Sequence, residues 1–432
     1  MIIHIVQPGD TLYSIARTYN ISINKLIFDN GISDPNALSV GQAIVIAHPV
    51  QTYTVKNGDT LANIASAHGT TLNQILRNNP FLADRNYTIY PGNTIIISYN
   101  GTDKPKITTN GYAYPFIDRN ILRRTLPFLT YLTIFSYQAL PDGTFTGIDD
   151  EELIEMAKDY GVAPIMVISS FSLVGVNSRE TVTSILYNEE LQDKNIENIL
   201  AILDEKGYYG LNASIHYINA DNLDYYERYL TKLTTLLNAH GYPVTLTIIP
   251  RIFMGIDLTR YDELDYSSVA AAVNNVQIIN YDWGYTYGPP MAVSSVNIIR
   301  IFLDEMIKQI PPEKINLGIS FIAYDWESPF ILGVSRGRSL SAGAAVDLAF
   351  QVGATIYFDE NSQSPYFQYI ENVEGRQLHH IVWFKDARSV DALVRLIPEY
   401  GFSGLGVWNI MSYFSQLWLI LNIQYEIERI DL

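Results

Sequence analysis

His4-Ile5-Val6-Gln7-Pro8-Gly9-Asp10-Thr11-Leu12 recurs further along the chain as Tyr53-Thr54-Val55-Lys56-Asn57-Gly58-Asp59-Thr60-Leu61. The likeness continues behind each copy. Ile15-Ala16 matches Ile64-Ala65, Asn30 matches Asn79, and Val40-Gly41-Gln42-Ala43-Ile44 matches Pro91-Gly92-Asn93-Thr94-Ile95. Self-similarity of this kind marks a repeated structural unit. In each copy a short strand runs into a Gly-Asp turn, and the following Thr is placed to N-cap a helix carrying Leu, Ile and Ala at helical spacing. A second helix and a closing strand complete a βααβ unit, predicted over residues 1–49 and again over 50–99.

These residues resemble the LysM module along nearly the full length of both repeats. In that family a shallow groove binds N-acetylglucosamine units, with backbone groups meeting the acetamido group. It lies between the Gly-Asp-Thr-Leu turn and the segment before the final strand. The resemblance assigns sugar binding to Gly9, Asp10, Thr11 and Leu12, and to Gly58, Asp59, Thr60 and Leu61. Asn79, with Pro80 and Ile89, forms the far wall in the second copy, where the first copy carries Asn30-Gly31. Two tethered weak sites on one polymer gain avidity through effective concentration.

The 432 residues are 48% hydrophobic, enough for several cores. Lys and Arg number 28 against 45 Asp and Glu, a net charge of −17. Such a chain repels nucleic acid and anionic membranes, because phosphate binding is largely neutralisation by Lys and Arg. The 31 Tyr, 17 Phe and 5 Trp supply flat apolar rings suited to sugar faces, although Tyr also fills sheets. Without cysteine there is no disulfide framework and no thiolate metal site. Met1 to Gln7 lacks a basic segment followed by a cleavable apolar stretch, and no run approaches a membrane span. The expectation is a protein that stays in the compartment where it is made.

Asn100 to Lys106 reads as a short polar linker. Beyond it, strand and helix patterns alternate, with strands expected at 108–117, 131–140, 163–170, 210–218, 243–251, 276–282, 315–324 and 404–409. Helices are expected at Asp149–Tyr160, Leu223–His240 and Val296–Gln309. This pattern predicts an α/β fold, a (β/α)₈ TIM barrel over 107–432, with a doubly wound sheet as the alternative. The stretch 339–400 reads as a small inserted α+β element. Several strand ends are aromatic and polar: Tyr112-Ala113-Tyr114, Phe135-Ser136-Tyr137, Tyr281-Asp282-Trp283, Tyr324-Asp325-Trp326 and Trp408-Asn409. A saccharide cleft needs that mixture.

Asn280-Tyr281-Asp282-Trp283-Gly284-Tyr285, with Tyr324-Asp325-Trp326 and Gly406-Val407-Trp408, resembles glycoside hydrolase family 18. The likeness is to the branch that joins LysM modules to a spore-cortex N-acetylglucosaminidase barrel. The resemblance makes Trp408 the floor under the sugar at the cleavage site, and gives Tyr281 and Asp282 the N-acetyl group. Tyr112, one of the aromatic strand ends, is a sugar-binding candidate as well. Active members carry Asp-x-x-Asp-x-Asp-x-Glu on the fourth strand, usually with Asn at the second Asp in this branch. The Glu is the general acid, and the preceding Asp orients the attacking acetamido group. Here the stretch reads Tyr209-Gly210-Leu211-Asn212-Ala213-Ser214-Ile215-His216-Tyr217. Asn212 is retained, Ser214 stands in the orienting position and His216 in the acid position.

Three readings follow. The preferred one is a binder of peptidoglycan or a chitin-like glycan with a degenerate, non-hydrolytic barrel. The second is an active N-acetylglucosaminidase with altered groups, using His216 or a nearby Asp221 or Asp224. The third makes the barrel a docking surface for spore coat proteins. By the same resemblance the protein is made in the mother cell and deposited on the spore cortex or coat. No cofactor is implied. No metal set is evident either, since His379 and His380 are adjacent on a strand and face opposite ways.

Overall fold

A computed structural model describes residues 1–99, 104–169, 179–214, 218–249, 252–254, 259–261, 264–279, 286–331 and 333–432. The two repeats have the expected form. In the first, antiparallel strands Ile2–Ile5 and Ala43–Ile46 enclose helices Leu12–Thr18 and Ile23–Asn30. In the second, Gln51–Thr54 and Thr94–Ser98 enclose Leu61–Ala67 and Leu72–Asn78. Thr11 caps the first helix, its Oγ1 accepting from the Ser14 N–H at 3.0 Å. Thr60 does the same for the Asn63 N–H at 3.1 Å. Each hydroxyl satisfies an amide that the helix start would otherwise leave unpaired.

Eight parallel strands follow: Lys106–Ala113, Tyr131–Gln138, Ala163–Ser169, Gly210–Ser214, Val244–Ile248, Asn275–Ile278, Ile315–Ser320 and Gly404–Trp408. The last strand pairs with the first, setting Trp408 beside Tyr112 and closing a (β/α)₈ barrel. Helices Glu151–Asp159, Leu223–Ala239 and Val296–Met306 lie where the 3.6-residue periodicity puts them. Among the described residues no helix is long and apolar enough to cross a membrane.

The inserted element differs from its expected bounds. The segment read as one strand over 315–324 is two, because the barrel strand ends at Ser320 and Ala323–Ser328 turns out to begin a separate antiparallel sheet. That sheet has five strands, Ala323–Ser328, Arg338–Leu340, Tyr357–Asp359, Ser364–Val373 and Arg376–Trp383, with helix Ala342–Gln351 packed on one face. The helices Ala387–Val394 and Leu396–Tyr400, placed in the insert on sequence, return the chain to the eighth barrel strand. Periodicity could not separate two consecutive apolar strands with only Phe321 and Ile322 between them.

The repeats do not hang from a linker but dock on the barrel. Helix Ser415–Gln424 lies against both of them. Gln416 Nε2 donates to the Ala43 carbonyl at 2.8 Å, and Asn422 Nδ2 donates to Asn78 Oδ1 at 2.7 Å. Alternation along Ala43–Ile46 explains the fit: Ile44 and Ile46 fill the first module's core, while Ala43 and Val45 join the barrel core. Gly41 shows how close the approach is. Its φ of 85° favours glycine, and a Cβ there would sit 1.9 Å from the Ile356 carbonyl oxygen of the insert. The matching Gly92 of the second module has nothing within 4 Å of that position.

Candidate functional site

The module turns are built by their own side chains. Gly9 and Gly58 have φ of 90° and 86°, values that need glycine. Asp10 Oδ2 accepts the Gln7 N–H at 2.8 Å and lies 3.0 Å from His4 Nε2. Asp59 Oδ2 accepts the Lys56 N–H at 2.7 Å and the Tyr53 hydroxyl at 2.9 Å. The backbone amides of Gln7 and Lys56, and then these side chains, hold both carboxyls below the usual range. Thr11 and Thr60 are the caps already described, and Leu12 and Leu61 are buried in the module cores. What the turns offer a ligand is therefore backbone and open surface, with nothing within 4 Å of a Cβ built at Gly9 or Gly58.

Asn79 corrects the sequence reading of a sugar-facing wall. It is fully buried, and its amide bridges helix to strand: Nδ2 donates to Ile75 O and Ile96 O, each at 2.8 Å, and Oδ1 accepts the Ile96 N–H at 2.8 Å. Asn30 clamps the first module in the same way through Leu26 O, Val45 O and the Val45 N–H. The two asparagines recur because buried backbone groups must be paired, a requirement of the fold itself.

At the C-terminal ends of the barrel strands, Trp408 lies at the centre of an aromatic group. Its ring centroid is 5.2 Å from Phe135, 5.7 Å from Tyr112 and 6.0 Å from Tyr114. Trp408 is half-buried, so part of the indole faces the mouth. Beneath it Asn212, fully buried on the fourth strand, donates from Nδ2 to the Tyr112 hydroxyl at 3.1 Å and accepts from Thr247 Oγ1 at 2.8 Å. Burial raises the Tyr112 phenol well above its ordinary value, so it stays a neutral hydrogen-bonding group. Ser214 follows two residues along and is also buried; alternation puts it on the same inward face as Asn212. His216, Tyr281 and Asp282 lie outside the described residues, as does Trp283.

Not every aromatic strand end joins this group. Tyr137 is buried and donates to Asp150 at 2.5 Å. Trp326 is buried, with its indole N–H on the Gly288 carbonyl at 3.0 Å. Asp325, between Tyr324 and Trp326, is turned to the opposite face of the inserted sheet. There its oxygens meet Tyr369 at 2.8 Å, His380 Nδ1 at 2.9 Å and Arg338 at 3.0 Å. That carboxylate is tied into the sheet, and sequence alone gave no sign of its three partners. His380 is thus occupied on one face while His379 is exposed on the other. Asp221 and Asp224 are exposed at the start of helix Leu223–Ala239.

Comparison with known proteins agrees with this geometry. The LysM domain model matches residues 4–47 and 53–98, and the model for glycosyl hydrolases family 18 matches 125–412. A cortical fragment-lytic enzyme of Bacillus anthracis is 30% identical over 431 residues, covering 98% of each chain. One of Bacillus subtilis is also 30% identical, covering 99% of each. The crystal structure of the Bacillus cereus spore cortex-lytic enzyme SleL superposes with a TM-score of 0.81 at 28% identity, over 99% of both chains.

Proposed function

Because the chain belongs to glycosyl hydrolases family 18 and carries two LysM modules ahead of the barrel, we propose that it binds an N-acetylglucosamine polymer without hydrolysing it. The polymer is peptidoglycan, or a chitin-like glycan of the same repeat, and the place of action is the spore cortex or coat. The names of the Bacillus relatives, which refer to the cortex, support that location. The same reading makes the mother cell the place of synthesis and coat proteins the neighbours.

One observation carries the non-hydrolytic part. On the fourth strand Asn212 is followed by Ser214 and His216, where active members place the orienting Asp and the acid Glu. A serine brings no negative charge to the positive centre that develops when the acetamido oxygen attacks the anomeric carbon. Loss of a positioned general acid alone costs about 10²–10⁴ in rate. Trp408, held from beneath by Tyr112 and Asn212, still offers a platform for a sugar, so binding outlives the chemistry.

The same retained platform favours a second reading, a slow glycosidase in which His216 donates the proton. Incubation with purified cortex muropeptides, with the products analysed by mass spectrometry, separates the two. Intact muropeptides support a binder. New reducing ends formed above background, and absent with heat-inactivated protein, establish the glycosidase.

A further inference from the structure

Two adjoining cavities run between the barrel mouth and the first module. The larger, of about 380 Å³, lies between Trp408–Asn409, the Ser412–Phe414 turn and the Ser339–Gly343 segment that leads into the insert's helix. The smaller, of about 80 Å³, continues between that helix and residues Asn30–Ser33 of the first module. They share Ala342 and Gly343 on one wall and Tyr413 and Phe414 on the other, which makes them one groove. One end is the aromatic floor of the barrel cleft. The other is the segment after the second helix of the first module, where the LysM resemblance sets one side of that module's own sugar groove.

We propose that a single glycan chain lies along this groove, held at once by the barrel mouth at Trp408 and by the first module at Gly31–Ser33. This rests on the glycan-binding reading above and adds its path. The lining fits such a ligand: Ser339, Ser341, Ser412 and Asn409 give hydroxyl and amide partners, beside the partly buried rings of Tyr413 and Phe414. The two ends cannot drift apart. Ser33 Oγ donates to Asp347 Oδ1 at 2.8 Å, the Ile356 N–H meets the Val40 carbonyl at 2.8 Å, and Gln416 reaches Asn30 at 3.0 Å. A fixed spacing means that the ordering of the two binding surfaces is complete before the polymer arrives, so a chain long enough for both gains affinity that a short one lacks. In the second module the Gly92 turn stands clear, where Gly41 is pressed onto the insert.

Gly343 supplies the test. It is exposed, and a Cβ there meets nothing within 4 Å, so a long side chain fits the fold and fills the groove. Ser412, exposed on the opposite wall, allows a second obstruction. Calorimetry on the whole chain with chitotriose and chitooctaose should show the longer sugar binding tighter by roughly tenfold or more. Gly343→Arg and Ser412→Trp should each remove that gain, and Gly343→Arg should leave chitotriose unchanged. An octaose advantage that survives in a folded Gly343→Arg or Ser412→Trp chain, checked by near-ultraviolet circular dichroism, overturns the path. So does an unmutated chain that binds both sugars equally. Binding of neither sugar by the unmutated chain overturns the glycan reading itself along with the path.

Discussion

Gln416 Nε2 donates to Asn30 Oδ1 at 3.0 Å, joining the last helix of the chain to the side chain that clamps the first module together. Asn422 reaches the second module beside its clamping Asn79, donating to Asn78 Oδ1 at 2.7 Å and accepting from Gln74 Nε2 at 3.0 Å. One helix thus fastens both repeats through buried amides on one chain segment, and the modules and barrel act as a single body.

Breaking those two amides should loosen the modules. Gln416→Leu with Asn422→Leu leaves the Ala43 carbonyl without its partner, at about 1–3 kcal/mol for a buried group left unpaired, and takes one of two donors from Asn78 Oδ1. Urea denaturation should show a lower midpoint. Limited proteolysis should cut between residues 99 and 107 faster than in the unmutated chain. Unchanged cleavage would mean that apolar contacts alone hold the docked state.

Trp408→Ala removes the central ring of the cleft floor. Chitooligosaccharide binding should weaken by about 1–3 kcal/mol, the range for loss of one aromatic stacking surface. Titration calorimetry reads this directly. Equal affinity in the variant would move the sugar away from the barrel mouth.

The double change Ser214→Asp with His216→Glu should give measurable hydrolysis of chitooligosaccharides where the unmutated chain gives none. His216→Glu alone should do less, because the acetamido nucleophile remains unoriented and the two groups act as a unit. Release of reducing sugar is the readout. Cleavage by the unmutated chain, at a rate that falls as pH rises through about 6.5, would identify His216 as an acid and favour the glycosidase.

Lys385 gives a pH dependence. Its ammonium is buried, donating to Ser364 Oγ at 2.8 Å and to the Ser294 carbonyl at 3.1 Å. Burial pushes its pKa down to about 7, against a smaller pull upward from Asp386. A folded-state value below the unfolded one, about 10.4, means that the unfolded chain binds more protons between the two. This contribution to stability is complete above the unfolded value and is lost as pH falls through about 7. Lys385→Met should flatten the rise in denaturation midpoint between about pH 7 and pH 10. A variant whose midpoint keeps the slope of the unmutated chain would assign that rise to other groups.

The amino-acid sequence by itself determined what neighbours along the chain decide. The Gly-Asp turns and Thr caps of both modules act over three or four residues, so their roles could be read from spacing. The eight barrel strands were legible because continuous apolar runs alternate with 3.6-residue periods. The identities of Asn212, Ser214 and His216 along the fourth-strand stretch are likewise facts of sequence. Only the tertiary structure decided where Asn79 and Asp325 point. Asn79 is claimed by Ile96, in the closing strand of its module, and Asp325 by Arg338, Tyr369 and His380 on three other strands of the inserted sheet. The docking of the modules is of the same kind, since Asn30 and Gln416 are separated by 386 positions and meet only once the barrel has closed. A polar side chain commits to whichever buried partner the fold brings to it, because leaving that partner unpaired costs more than any local preference returns.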